Sequence, residues 1–322
     1  MNIRQQRICV VGGSGFVGLH LAARLVRAGA QVDVLTRREY ASHALKVLPG
    51  VRLLQTAIGD VAALAERFAG AAAVVNLAGI LNQRRRGDFD AVHVALPRRI
   101  VAACRQAGVQ RLLHISALRA DMEHPPSHYL RSKGEGERLV LAAEGLAVTV
   151  FRPSVIFGAE DSFFNRFDRL LALSPGILPL TCSEARFAPV YVGDVAEAFV
   201  RALQLPQTIG QGYELCGPRV YSLRQIVDLV MQQSGRRRRI VELGPRLSWL
   251  MAVLMEHLPG RPFTRDNYRS LQCNSVCKSR FPEVFAITPA AVEGVLPTYL
   301  GPRERNHRLA QLRRAARRND AA

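Results

Sequence analysis

A glycine-rich turn near the N-terminus constrains the fold more than any other part of this sequence. Residues 8–11 are an apolar run that leads directly into Gly12-Gly13-Ser14-Gly15-Phe16-Val17-Gly18, which fits both GxxGxxG and GxGxxG spacing. Between a strand and a helix, such glycines allow a tight turn, a close approach of the backbone to a diphosphate, and close packing of the helix on the sheet. The free N–H groups at the start of the helix bind phosphate. We therefore predict that residues 12–18 bind the pyrophosphate of a dinucleotide.

Strand-forming and helix-forming segments alternate through the first half of the chain. The strands are predicted at Arg7–Val11, Gln31–Thr36, 51–56, 73–77, 111–116 and 147–152, and the helices at 16–28, 97–107 and 129–144. This alternation, with continuously apolar strands, predicts a Rossmann doubly wound α/β fold, with a parallel sheet and helices on both of its faces.

Prolines interrupt this regular pattern after Gly158, which predicts a smaller C-terminal lobe built from longer connections. We place a Rossmann NAD(P)-binding domain at residues 1–157, with the sheet re-entered around 186–216. The smaller substrate or partner lobe comprises residues 158–185 and 217–300. Residues 301–322 form an arginine-rich tail that we expect to be disordered.

Composition adds a strong positive charge, with a net value of +18. Such a chain is attracted to anionic surfaces, including phospholipid head groups. Binding of nucleic acid is disfavoured, because the arginines are not interleaved with aromatic residues. We expect neither a signal peptide nor a membrane span, no metal site, and six reduced cysteines in a cytoplasmic protein, which can also be peripheral on the inner face of the cytoplasmic membrane.

The ends of the second, third and fourth strands supply further candidates for the nucleotide pocket. Asp33 lies mid-strand, where it points to a face of the sheet, whereas Arg37 and Arg38 follow the strand end. Arginine at this place binds a 2′-phosphate, so NADP(H) is favoured over NAD(H). The remaining candidates come after the third and fourth strands, and each of them also fits an ordinary loop: Asp60, Val61, Asn76, Ala78 and Gly79.

The catalytic candidates are Tyr129, Lys133 and Ser116. Tyr129 and Lys133 are four residues apart, so on a helix they share a face, and a cation beside a phenol lowers the pKa of the phenol. Lysine also donates hydrogen bonds to ribose hydroxyls, and this chain contains only three lysines. Ser116 ends the fifth strand, where its hydroxyl either binds a substrate oxygen or caps the backbone.

These segments together resemble the short-chain dehydrogenase/reductase superfamily in its extended or atypical form, which is NAD-dependent epimerase/dehydratase-like. The resemblance covers about residues 5–300 and rests on GGSGFVG, GD, NLAG, YLRSK, RPSVIFG and ARFAPVYVGDVAEAF. The stretches YLRSKGEGE, FRPSVIFG, YELCGPRVYSL and FTRDNYRSLQ are similar to one group within it. That group is the nucleotide-binding accessory subunit of respiratory complex I and its bacterial relatives.

The resemblance implies residue roles as well as a cofactor. It implies that Gly12, Gly15 and Gly18 lie at the pyrophosphate, Arg37 at the 2′-phosphate, Asp60 at the adenine, Tyr129 and Lys133 at the nicotinamide ribose, and Pro153 beside the nicotinamide. The sequence departs from the family at Ala117, where a catalytic hydroxyl is expected, and at His93, where many members have asparagine. The short loop before Tyr129 argues against a sugar-nucleotide substrate.

Residues 245–260 are apolar on more than one face and are flanked by arginines. The segment is too short to span a bilayer, but a helix of this kind can lie in the head-group region of an anionic membrane. The same residues also fit a helix that is buried against the small lobe.

Two functions remain open from the sequence. In the first, the chain binds NADP(H), which can be a structural group that does not turn over, and works with a respiratory-chain or quinone-biosynthesis protein. In the second, it is a soluble NAD(P)-dependent reductase or epimerase that uses Tyr129 as acid or base with Lys133 on a small molecule.

Overall fold

The computed structural model of the chain describes residues 2–37, 43–120, 122–258 and 261–301. Arg38, a predicted ligand of the 2′-phosphate, and the predicted tail beyond residue 301 lie outside these residues. The strands are, in chain order, β1 (Arg7–Val11), β2 (Gln31–Thr36), β3 (Val51–Gln55), β4 (Ala73–Asn76), β5 (Arg111–Ile115), β6 (Ala147–Pro153), β7 (Ile156–Phe157), β8 (Ile177–Thr181), β9 (Arg186–Phe187), β10 (Val190–Tyr191), β11 (Gln211–Leu215), β12 (Tyr221–Ser222) and β13 (Arg239–Leu243).

The α-helices connect and cover these strands. They are α1 (Phe16–Arg27), α2 (His43–Lys46), α3 (Val61–Phe68), α4 (Asp88–Asp90), α5 (Leu96–Gln106), α6 (His128–Leu141), α7 (Phe164–Leu173), α8 (Val192–Gln204), α9 (Leu223–Ser234), α10 (Pro245–Glu256), α11 (Arg265–Leu271) and α12 (Val292–Val295). A π-helical turn, Ala91–Ala95, joins α4 to α5. Among the described residues, no helix is long and apolar enough to cross a bilayer.

The main sheet is parallel throughout, with the strand order β11-β6-β5-β4-β1-β2-β3. Successive side chains of β1 enter opposite cores: Ile8 and Val10 pack with α1 and α8, whereas Cys9 and Val11 pack with α3 and α5. Such alternation requires apolar residues at every position of a strand that is buried on both faces. The predicted doubly wound fold is therefore confirmed.

The smaller lobe has a hydrophobic core of its own. Phe157, Phe164 and Leu171 pack there with Ile226 and Val230 of α9. Two short parallel strands, β8 and β13, pair at the edge of this lobe, and α10 follows β13 directly. The lobe begins where β6 ends, so it stands at the carboxyl ends of the parallel strands, where such folds bind ligands.

The expectation of six reduced cysteines is wrong for one pair, because the structure joins Cys216 to Cys277 in a disulfide. Cys216 directly follows β11, and the segment before Cys277 runs beside β9, where the N–H of Ser275 donates to the carbonyl of Arg186. The two cysteines are 61 residues apart in sequence. Their contact depends on how the C-terminal segment folds back, which spacing in the sequence does not reveal.

Helix α6 lies directly against the backbone of the π-helical turn. A Cβ atom on Gly136 would lie 1.8 Å from the carbonyl oxygen of His93, and one on Gly134 would lie 2.0 Å from that of Ala120. Each distance is well inside van der Waals contact, so only glycine fits at these positions. The two glycines therefore fix how closely α6 approaches the rest of the domain.

We expect Gly136→Ala to reduce the free energy of unfolding by at least about 2 kcal/mol, because the added methyl group must push α6 and the turn apart. Urea denaturation of the purified chain measures this change. Gly294→Ala is the matched control: a Cβ there meets open space, so its effect should stay within about 0.5 kcal/mol. Equal effects of the two substitutions would contradict the described packing of α6.

Candidate functional site

The glycine turn brings separate stretches of backbone into contact. Gly12 has a φ of +79°, and a Cβ atom there would lie 2.7 Å from the backbone nitrogen of Ala78. A Cβ atom on Gly18 would lie 2.4 Å from the backbone of Gly13. Glycine is required at both positions, by conformation at Gly12 and by space at each. The turn is therefore tight, as the glycine spacing predicts, and it contacts the loop after β4.

The N-terminus of α1 is free to bind an anion. Gly15 caps the helix without a side-chain hydrogen bond, and the first turn contains no acidic residue. Ser14 and Gly15 are exposed, whereas Phe16 and Val17 are half-buried. The ring of Phe16 lies 3.2 Å from where a Cβ on Gly158 would be, so the start of the smaller lobe borders this turn. The free N–H groups and the positive end of the helix dipole fit a diphosphate.

Asp33 is not available to a ribose. It is fully buried in β2 and accepts hydrogen bonds from Arg7 at 2.9 Å and from Arg52 at 2.7 Å. Its carboxylate is thus neutralised inside the domain, in agreement with its predicted mid-strand position. Arg37 follows β2 and is exposed, which leaves its guanidinium free to contact a ligand at the strand end.

Asp60 and Val61 begin helix α3. The Asp60 carboxylate accepts a hydrogen bond from the N–H of Ala62 at 3.0 Å, which is the geometry of a helix N-cap. Capping accounts for the presence of an acidic residue here without a ligand. The contact of Asp60 with adenine stays a prediction.

Asn76 acts on the shape of the pocket through the loop that it holds. Its Oδ1 accepts a hydrogen bond from the N–H of Ala78 at 3.1 Å, and its Nδ2 donates to Nδ1 of His114 at 3.0 Å. The side chain of Asn76 is buried, so these bonds set the path of the loop. Ala78 is thereby held against Gly12, and Gly79 is left exposed.

Lys133 is a buried cation at the edge of this loop. Its side chain is only 5% exposed, and Nζ donates to the carbonyl of Ile115 at 3.2 Å. A Cβ atom on Gly79 would lie 3.1 Å from Nζ, so the ammonium group lies beside exposed backbone of the pocket. Burial lowers the pKa of Lys133 to about 8, and the nearby carboxylate of Glu137 partly opposes this shift. The amine therefore loses its proton in a mildly alkaline solution.

Tyr129 shares the helix face with Lys133, as predicted, but its expected low pKa is wrong for this structure. Burial raises the pKa of Tyr129 to about 12. The ring packs edge-on against His93 and Phe89, with centroid distances of 5.6 and 5.9 Å. Among the described residues, none forms a hydrogen bond with the phenol hydroxyl. Desolvation by burial is the cause of this rise.

Ser116 directly follows β5, and its side chain is buried. Its backbone N–H donates to the carbonyl of Phe151 at 2.7 Å, while Oγ is buried without a partner among the described residues. An unsatisfied buried hydroxyl costs about 1–3 kcal/mol, so a ligand oxygen at this position would be bound favourably. Pro153 is buried at the end of the neighbouring strand β6, where its carbonyl accepts from the N–H of Leu118 at 3.0 Å.

His93 is a structural link that the sequence did not reveal. Nε2 accepts a hydrogen bond from the N–H of Ile80 at 3.1 Å, so Nδ1 carries the proton and donates to Oγ of Ser132 at 2.9 Å. Ser132 in turn donates to the carbonyl of Tyr129 at 2.9 Å. Burial, with the charge of Lys133, lowers the pKa of His93 to about 2. A neutral histidine thus connects the loop after β4 with the start of α6.

The smaller lobe also positions the start of α6, a role that sequence reasoning missed. The carboxylate of Asp266, in α11, accepts hydrogen bonds from the N–H groups of His128 at 2.7 Å and of Tyr129 at 3.1 Å. Ser127 caps the same helix, and its hydroxyl accepts from Ser270 at 2.8 Å. Each of these hydrogen bonds joins residues that are 137 or more positions apart in sequence, so no local pattern could have indicated them.

These features define the class of the protein. A Rossmann sheet, an open phosphate-binding turn and a Tyr–Lys pair meet beside a second lobe, as in dinucleotide-binding proteins of the extended short-chain type. Within residues 2–37, 43–120, 122–258 and 261–301, no cluster of three or more potential ligands could hold a metal ion. The residues present fit a pyridine dinucleotide, because the glycine cradle, the free helix N-terminus and Lys133 all border the same loop.

Comparison with known proteins agrees with this class. The sequence profile of the NAD dependent epimerase/dehydratase family matches residues 8–216, and the chain therefore belongs to that family. The resemblance inferred from the motifs is thus confirmed. Pyridine dinucleotides are the cofactor class of this family.

Individual relatives match different shares of the chain. The mouse protein NADH dehydrogenase (ubiquinone) 1 alpha subcomplex subunit 9, mitochondrial, is 33% identical over 232 residues, which are 70% of this chain and 61% of the mouse protein. The ceramide reductase of Caulobacter vibrioides is 32% identical over 199 residues, which are 62% of this chain and 61% of that enzyme. This chain therefore spans about 61% of the length of each of these relatives.

A solved structure shares the fold. The UDP-glucose 4-epimerase of Thermus thermophilus in complex with NAD superposes with a TM-score of 0.62 at 21% sequence identity. The superposition covers 83% of this chain and 99% of the epimerase. Identity at this level supports the common fold and nothing about substrate.

We expect affinity for a pyridine dinucleotide to fall about tenfold between about pH 7 and about pH 9.5. The resemblance implies that the Lys133 ammonium donates to the nicotinamide ribose, and the pKa of Lys133 is about 8. Above that pH the amine loses its proton, and one charge-assisted hydrogen bond to the ribose would be lost. Isothermal titration calorimetry across the pH range measures the trend. Lys133→Met is the control and should bind weakly without this slope; the same slope in Lys133→Met would contradict the assignment.

Proposed function

We propose that this chain binds NADP(H) and works with respiratory complex I or in ubiquinone metabolism, with a bound nucleotide that serves chiefly as a structural group. One contrast within the site carries this proposal. The described glycine turn, the N-terminus of α1 and Lys133 fit a dinucleotide, whereas the phenol of Tyr129 has a pKa raised to about 12 and no hydrogen-bond partner among the described residues. The site is thus better arranged to hold a cofactor than to move a proton at neutral pH.

The setting at the respiratory chain rests on sequence similarity. The mouse relative is by name a subunit of NADH dehydrogenase, and this chain resembles that group in the stretch that carries the Tyr–Lys helix. The net charge of +18 also favours a location beside anionic phospholipid. A cytoplasmic chain that is peripheral on the inner face of the membrane would meet both conditions.

The preference for NADP(H) rests on the end of β2. Asp33 is buried between two arginines, so no carboxylate at that position receives the ribose 2′-hydroxyl. Arg37 is exposed at the strand end instead. A guanidinium there provides charge-assisted hydrogen bonds to a 2′-phosphate.

A second candidate function is an NAD(P)-dependent reductase of a carbonyl compound. The buried, unpartnered hydroxyl of Ser116 favours it, because a substrate carbonyl oxygen would satisfy that group. A nicotinamide cofactor would supply the hydride, Ser116 would hold the substrate oxygen, and Tyr129 would donate the proton to it. The similarity to a ceramide reductase is consistent with a substrate of apolar character.

We expect Arg37→Ala to raise the dissociation constant for NADPH about tenfold or more and to leave that for NADH nearly unchanged. The reason is the loss of one charge-assisted pairing with the 2′-phosphate. Calorimetric titration with both nucleotides measures the two constants. Arg27→Ala removes another exposed arginine, in the last turn of α1 and away from the nucleotide turn at its start, and should change neither constant. An Arg37→Ala protein that binds both nucleotides as before would argue against NADP(H).

Tyr129→Phe separates the two candidate functions. If the nucleotide is structural, this variant should bind NADPH within about twofold of the unmodified chain and restore respiratory NADH oxidation in cells that lack the chain. If the protein is a reductase, kcat should fall by a factor of about 10²–10⁴ while binding persists. A Gly18→Val variant, which blocks the nucleotide turn, should fail in both cases, and full function of that variant would contradict both candidates.

A further inference from the structure

Helix α10 exposes its large apolar residues and buries small ones, in contrast to an ordinary surface helix. Its buried residues are the small Ser248 and Ala252, while Leu247, Leu250 and Leu254 are 56%, 51% and 62% exposed. Surface helices of globular domains usually turn their large apolar residues inward. The sequence left open whether this helix is buried on the small lobe. In the structure only the narrow face with Ser248 and Ala252 is buried.

The exposed leucines form one stripe. Residues 247, 250, 254 and 258 follow the helical spacing of three, four and four, so they lie along one side, opposite the contact face. Leu258, just after α10, is 50% exposed. The stripe is about 17 Å long at 1.5 Å per residue, and a continuous apolar surface of this kind marks a site of interaction.

Arginines flank the stripe along the chain. Residues 236–261 contain six arginines and two glutamates. Both glutamates form ion pairs with arginines outside the segment, Glu242 with Arg224 and Glu256 with Arg265. Arg246 is exposed in the first turn of α10, beside the stripe, and Arg237 and Arg239 are exposed shortly before it. The occupant of this surface must therefore be apolar at its centre and anionic around it.

We propose that the leucine stripe of α10 docks on the surface of an anionic phospholipid bilayer, with the helix lying in the plane of the head groups. Acyl chains would take up the leucines, and lipid phosphates would pair with the surrounding arginines. A second copy of this chain is disfavoured, because a symmetric contact through the stripe would bring two arginine clusters together. For its biological setting this inference rests on the proposed function, but lipid binding is measured independently of nucleotide binding.

The docking helix is connected to the nucleotide site through α11. Trp249 of α10 packs edge-on against Tyr268 of α11 with a centroid distance of 5.5 Å, and the guanidinium of Arg269 lies 5.7 Å from the Trp249 ring. Asp266 of the same helix binds the start of α6. In a docked chain, α10 would contact the lipid, α11 contacts α10, and α6, which carries Tyr129, contacts α11.

Flotation of the full chain with lipid vesicles tests the proposal. The chain should float with vesicles of phosphatidylglycerol mixed with phosphatidylcholine and should float poorly with phosphatidylcholine alone. Leu250→Ser and Leu254→Ser should each lower the partition coefficient about tenfold, since each removes one inserted leucine side chain. Arg246→Gln should lower it about fivefold on the anionic vesicles only.

Matched controls separate docking from general effects. Val47→Ser changes a side chain that is 80% exposed on the Rossmann domain and should float like the unmodified chain. All variants should keep their thermal unfolding midpoint and their nucleotide affinity, so a failure of nucleotide binding would not affect this test. Equal flotation of the Leu250→Ser/Leu254→Ser double variant and the unmodified chain would overturn the proposal. A second result would also overturn it: the unmodified chain does not float, light scattering shows that it is a dimer, and the Leu250→Ser/Leu254→Ser double variant is a monomer.

Discussion

Contact between backbones at glycine is the constraint on which this structure depends. Gly12 lies against the loop after β4, Gly18 against the turn itself, and Gly136 against the carbonyl of His93. These contacts place the first helix, the strand-end loop and the Tyr–Lys helix around one space. A side chain at any of them would push those elements apart, and the pocket would lose its shape before any functional group was altered.

Burial governs the electrostatics of the site once those backbones are in place. Lys133 keeps its charge at neutral pH because the carbonyl of Ile115 and the carboxylate of Glu137 partly compensate its desolvation. Its pKa of about 8 lies only about one unit above neutral pH. Burial beside Lys133 likewise disfavours the charged form of two histidines, lowering the pKa of His93 to about 2 and that of His114 to about 3. Both histidines therefore serve as neutral hydrogen-bonding groups, and the ammonium is the dominant positive charge among these three.

The two lobes divide the work of positioning. The Rossmann domain supplies the glycine turn and the Tyr–Lys helix, while α11 of the smaller lobe binds the N-terminus of that helix through Asp266. The same lobe carries helix α10, whose leucines and one arginine, Arg246, face solvent. A surface proposed to contact lipid and a site that binds nucleotide are thus joined by a short series of side-chain contacts, which gives the proposed location at a membrane a structural basis.

Local patterns in the sequence were sufficient for the first six strands, the glycine turn and the Tyr129–Lys133 face, because periodicity and glycine spacing act within a few residues of the chain. Even Asp33 was interpreted correctly from its mid-strand position. The tertiary structure alone decided the pKa of Tyr129, the tautomer of His93, the Asp266 contact, the Cys216–Cys277 bond and the outward face of α10. Each of these depends on which distant segment desolvates or contacts the residue, and sequence spacing carries no information about that.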